Sequence, residues 1–137
     1  MKVTNICYEN NHKLDSANNI EINSLDSIPN FSNENIYISL LNMFSKKDSI
    51  NVINVLINKL KQSGTLVLKL LNFDQLIDSY KFHKMSDDTV CQHMHGTTCI
   101  INQSEIFELL HSKKDVKIVD ISNDDAYTIY KIQRISL

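Results

Sequence analysis

Glycine is nearly missing from this 137-residue chain, which holds only Gly64 and Gly96, and Pro29 is its one proline. A glycine-rich loop cradling phosphates is therefore excluded, because such loops need several positions without a Cβ. Tryptophan is absent, Arg134 is the single arginine, and 14 basic side chains against 16 acidic ones leave a net charge of -2. No concentrated basic patch follows from these counts, so the composition offers nothing for nucleic acid. Long apolar runs are lacking too, and none approaches the ~20 residues that cross a bilayer. The first ten residues lack the order of a secretory signal, and three cysteines cannot pair completely, so a reducing, intracellular setting is expected.

What remains is 42% apolar and 22% charged, the balance of one globular domain spanning residues 1–137. Strands are predicted over Lys2–Tyr8, Asn19–Leu25 and Asn35–Leu41, the last apolar enough to be buried on both faces. Ser45 or Asp48 caps a predicted helix over Ser49–Gln62, in which Ile50, Ile53, Leu56, Ile57 and Leu60 repeat at helical spacing, and Gly64 sits where its C-cap belongs. Thr65–Leu71, broken only by Lys69, reads as a central strand. Asn72 caps a short helix over Phe73–Tyr80, Lys81–Gly96 reads as irregular and Thr97–Asn102 as extended. Ser104 opens a helix bearing Ile106, Leu109 and Leu110 on one face. Val116–Ile121 and Tyr127–Ile135 alternate as a hairpin turning at Asn123–Asp125. A helix feeding a buried strand is the mark of an α/β fold.

Chemistry-bearing groups are sparse. Cys91, His93, His95 and Cys99 form the one metal-like spacing, and positions 91, 93 and 95 would share a side of an extended segment. Zinc accepts such ligands, yet no second Cys or His pair anchors them, and a polar loop with incidental histidines is the plainer reading; no metal is assigned. Cys7 or Cys91 could serve as a nucleophile only with a base that folding would have to supply. Asp87-Asp88 and Asp124-Asp125 read as solvated turns, since adjacent side chains diverge on an extended chain. Tyr127 and Tyr130 read as packing residues with wet hydroxyls.

Three strands, helix, strand, helix and a closing hairpin resemble a shortened class I S-adenosylmethionine (SAM)-dependent methyltransferase: a Rossmann-like sheet, mostly parallel with a C-terminal antiparallel hairpin. The segments Asn19-Ile20-Glu21-Ile22, Leu25-Asp26-Ser27-Ile28-Pro29 and Ile36-Tyr37-Ile38-Ser39-Leu40-Leu41 are similar to the small methyltransferases of phages and bacteria, and Lys59-Leu60-Lys61-Gln62-Ser63-Gly64-Thr65-Leu66-Val67 is similar to the lead into their fifth strand. By that resemblance Glu21 stands where an acidic residue meets the cofactor's ribose hydroxyls, and Asn42 stands near the polar cluster ending the fourth strand. The same resemblance exposes a departure. Family members place a Gly-x-Gly turn after the first strand, whereas Ile6-Cys7-Tyr8 stands here, and Asn42-Met43 replaces a frequent Glu-His pair, removing the general base. The expectation is a methyltransferase-fold pseudoenzyme with no cofactor, its cleft near Cys7, Tyr8, Asn23, Asn42 and Asn72 plugged by Tyr8 and Met43. Such a chain would act as a structural or protein-interaction module with a protein partner, as a homo-oligomer or within a phage assembly, and so intracellular or virion-associated. The alternative is an active SAM-dependent methyltransferase with an altered pocket.

Overall fold

A computed structural model describes residues 2–8, 13–82, 84–124 and 126–136. Six strands form one sheet in the order β2-β1-β3-β4-β6-β5: β1 (Thr4–Cys7), β2 (Asn18–Glu21), β3 (Asn33–Ile38), β4 (Leu60–Leu71), β5 (Val116–Asp124) and β6 (Tyr127–Arg134). The first four run parallel, while β6 is antiparallel to both β4 and β5. This is the mostly parallel sheet with a terminal hairpin that the sequence implied. Thr65–Leu71 is central, bonded to β3 on one edge and β6 on the other. No helix among the described residues is long and apolar enough to cross a membrane.

Four helices complete the fold: α1 (Lys46–Lys59), α2 (Phe73–Lys81), α3 (Asp87–Met94) and α4 (Gln103–His111). Their starts follow capping chemistry. Ser45, Asn72, Ser86 and Asn102 each accept a hydrogen bond from the third amide of their helix, and Glu105 completes a capping box at α4. Two expectations change here. Lys81–Gly96 is not irregular, because Ser86 nucleates α3 and puts Asp87 and Asp88 in its first turn, where carboxylates meet the positive end of the helix. Thr97–Asn102 joins no strand, its amides at Thr98 and Cys99 being spent on the carbonyl of Asn42.

Strand β3 is not buried on both faces. Ile36 and Ile38 are sealed, while Asn35, Tyr37 and Ser39 are half-buried. The main core lies on the even-numbered side, where Ile36, Ile38, Leu66, Leu68, Tyr130 and Ile132 meet Ile53, Leu56 and Ile57 of α1 and Ile106 and Leu110 of α4. On the opposite side a smaller cluster gathers Leu71, Leu76 and Ala126 under Met85, Val90 and Met94. Burial is therefore uneven between faces, and the strands alternate accordingly. The predicted strand Asn19–Leu25 is also shorter, giving way at Ile22 to a 3-10 segment through Ser27 that turns Leu25 into the core.

The helix α1 stops at Lys59 and passes directly into β4, so Gly64 is not its C-cap. Instead Gly64 lies in an irregular stretch of β4 opposite β3, beside Ser63 in the left-handed region (φ 66). A Cβ at Gly64 would stand 2.8 Å from the carbonyl oxygens of both Asn33 and Lys61. Arg134, 4% exposed, fastens the end of the hairpin to α1: it donates to the Ile57 carbonyl at 2.8 Å, lies 3.4 Å from Asp115, and stacks on Phe31. We expect Gly64→Ala to destabilise the fold by about 1–3 kcal/mol, because both colliding atoms are backbone. A denaturation midpoint lowered at unchanged slope checks this.

Candidate functional site

In open α/β sheets, ligands bind beyond the carboxyl ends of the strands. There the chain carries a cavity of about 680 Å³ lined by Ser39, Asn42, Met43, Lys69, Gln92, His93, His95, Gly96 and Tyr127. Its floor is the odd-numbered side of the sheet, with Ser39 beyond β3, Lys69 on β4 and Tyr127 at the start of β6. Its wall is the end of α3 and the turn after it. Asn42 sits in the 3-10 turn Leu41–Met43 and holds that wall in place. Its side-chain amide donates to Thr97 Oγ1 at 3.0 Å, and its carbonyl accepts from the amides of Thr98 at 2.7 Å and Cys99 at 3.1 Å.

The polar centre of the cavity is built around Tyr127. Its hydroxyl lies 3.1 Å from His93 Nδ1, with the two rings edge-on at 5.3 Å. The Lys69 ammonium stands 4.8 Å above the Tyr127 ring and 3.8 Å from Asp124. Burial pushes the Tyr127 hydroxyl above the ordinary tyrosine value, reinforced by Tyr37. Burial likewise raises Tyr37, opposed by a hydrogen bond with Ser39 and aided by the Asp124 carboxylate. Tyr127 therefore stays a neutral phenol at physiological pH, able to share one proton with the imidazole while Lys69 supplies fixed positive charge. Such a set can bind a polar or anionic group and orient it. The expectation of a wet packing tyrosine at 127 is thus corrected by its bond to His93.

Glu21 and Asn42 are not brought together. Glu21 ends β2, an edge strand, and is exposed, opposite Cys7 in register, whereas Asn42 lines the cavity. Of the other residues expected around one cleft, Cys7 is sealed, Asn23 is exposed, and Asn72 caps α2 beside a separate cleft. Cys91 and His93 fall on α3, so alternation no longer places them on one side, and among the described residues no three His, Cys, Asp or Glu side chains converge for a metal. Lys69 was the missed signal. A lone lysine inside a buried strand marks a place where the sheet meets solvent or a ligand.

No family model and no curated protein matches the chain in sequence. Solved structures do match in shape. The plantazolicin methyltransferase BpumL, solved with a monoazolic desmethylPZN analog and SAH, aligns with a TM-score of 0.64 at 13% identity, over 98% of this chain and 67% of its own. A SAM-dependent methyltransferase from Methanosarcina mazei gives 0.60 at 14% identity over 99% and 83%, and an O-methyltransferase family protein from Burkholderia thailandensis gives 0.59 at 16% over 88% and 36%. The fold is that of the SAM-dependent methyltransferases. This chain spans from about a third to about four fifths of the length of such neighbours.

The methyltransferase fold implies SAM, and the residues beyond β1 test the fit. Where a glycine turn would leave space, Tyr8 packs edge-on against Phe44 with ring centroids 6.2 Å apart, and Tyr8, Met43 and Phe44 all lean on the main core. A bulky aromatic pair at that strand end does not fit the usual cradle, and the ring partner of Tyr8 is Phe44 rather than the expected Met43, which lines the cavity. The raised tyrosines have a consequence of defined sign. The unfolded chain loses its phenolic protons first, so the stability these tyrosines contribute should be fully present well below pH 10.0, the ordinary tyrosine value, and be lost as pH climbs toward the raised folded values. Tyr127→Phe should flatten that alkaline decline in pH-dependent urea titrations.

Proposed function

We propose that this methyltransferase-fold chain has given up SAM-dependent catalysis and acts as a structural or protein-interaction module. The observation that carries the reading is the Tyr8–Phe44 pair at the carboxyl end of β1, packed where the cofactor's backbone cradle would have to open. Glu21, exposed on an edge strand and apart from the cavity, adds to it, because a ribose-binding carboxylate works only beside an open cofactor channel. No cofactor is required in this reading. The partner is a protein, either a second copy of the chain or a component of a phage assembly, and the chain works inside the cell or in the virion.

A second reading keeps SAM chemistry with an altered pocket. What favours it is the cavity of about 680 Å³ beside Asn42, where Lys69, His93 and Tyr127 could hold a polar acceptor. Calorimetric titration with SAM and S-adenosylhomocysteine separates the two. The module reading expects no binding, and it expects Tyr8→Gly to lower stability by about 2 kcal/mol through lost apolar burial and added chain freedom. Micromolar SAM binding that disappears in Glu21→Ala, or a Tyr8→Gly variant of unchanged melting temperature that gains stability with SAM, would establish the enzyme instead.

A further inference from the structure

A second concavity of about 310 Å³ lies on the other side of the sheet, roofed by residues 100–103 and floored by Thr128 and Tyr130 of β6. The first turns of two helices open into it: Phe73 and Asp74 of α2, and Gln103 of α4. Each helix is nine residues long, and each cap side chain, Asn72 or Asn102, takes only the third amide. The earlier amides of both first turns have no intrahelical acceptor, and both helix dipoles place positive potential on the same small volume.

Independently of the helix ends, Tyr130 asks for a ligand. Its side chain is 2% exposed and lines this cleft, and its hydroxyl has no hydrogen-bond partner among the described residues. That hydroxyl is not among the sealed, unpartnered polar atoms, so it keeps some exposure, and its side chain lines the cleft. Burial holds the phenol protonated by pushing its titration upward, so it stays a hydrogen-bond donor at the cleft. An unpaired buried hydroxyl is costly unless something accepts from it. Thr128, by contrast, is satisfied, accepting from Asn72 and donating to Asn123.

We propose that this cleft binds a small organic carboxylate, whose oxygens accept from the Tyr130 hydroxyl and from the first-turn amides of α2 and α4, with its apolar stem against Leu70, Phe73, Ile100 and Ile101. The first-turn amides and the Tyr130 hydroxyl are donors, and they call for an acceptor group. The apolar walls select a short alkyl or aryl stem over a bare inorganic anion. Asp74 is the one carboxylate among the lining residues; Glu105, in the first turn of α4 outside the lining, is engaged by Lys46 at 2.8 Å. Asp74 sets the charge balance and supplies a diagnostic. The proposal stands apart from the module reading, because this cleft is separate from the Tyr8 end of the sheet.

The test uses the full chain, labelled with 15N, titrated with sodium benzoate and in parallel with benzamide as its neutral isostere. Saturable shifts of the Phe73, Asp74, Gln103 and Ser104 amides are expected with benzoate, and much weaker ones with benzamide. Tyr130→Phe keeps the packed ring and removes the donor, so benzoate affinity should fall roughly tenfold or more, in line with a hydrogen bond to a charged group. Asp74→Asn, an exposed change that does not threaten folding, should strengthen benzoate binding several-fold. Benzamide binding as tightly as benzoate, affinity indifferent to Tyr130→Phe, weaker binding in Asp74→Asn, or shifts that do not saturate would each overturn the proposal.

Discussion

Everything in this molecule hangs on β4 being bonded along both edges. It is parallel to β3 and antiparallel to β6, so it alone joins the parallel half of the sheet to the terminal hairpin. Its leucines at 66, 68 and 70 feed the main core, while Lys69 and Leu71 face the other way. This central position explains why no loop is spent between α1 and β4. The strand begins where the helix ends, and the irregular stretch around Ser63 and Gly64 absorbs the change of direction with two backbones in close contact. Arg134, at the end of β6, then ties the hairpin back to the same helix end.

The two faces of the sheet do different work. The even-numbered side is a conventional apolar core under α1 and α4. The odd-numbered side carries Ser39, Lys69 and Tyr127, and α3 closes over only part of it. A polar cavity forms there, where half-buried polar groups find partners: His93 with Tyr127, and Lys69 with the exposed Asp124. Asn42 has a structural task first, since its amide and carbonyl carry the segment 97–99. Its presence in the cavity follows from that task, which is why a cofactor role for Asn42 and its role as a clamp are hard to separate by type of residue alone.

Much of the architecture was legible in the sequence because it rests on local signals. Periodicity at Ile53, Leu56 and Ile57 announced α1, Asn72 announced α2, and the alternation from Val116 and from Tyr127 announced the hairpin. The scarcity of glycine likewise announced that no Gly-x-Gly turn follows β1. Signals failed where one residue type serves two purposes. Gly64 has the place of a helix terminator, yet it is needed for close approach of two strands, and Ser86 caps α3 in a stretch whose polar, His-rich composition carries no helical periodicity.

The sequence by itself determined α1, α2, α4 and the terminal hairpin, that the sheet is mostly parallel, and that the first strand ends without a glycine turn, because hydrophobic spacing, caps and missing residue types act over a few neighbouring positions. Only the tertiary structure decided that Tyr8 meets Phe44, that Lys69, His93 and Tyr127 share a cavity, and that the ends of α2 and α4 converge on Tyr130. Those meetings join residues far apart in the chain. They depend on strand order and on which side of each strand a residue falls, and a one-residue change of register would undo them without altering any local signal.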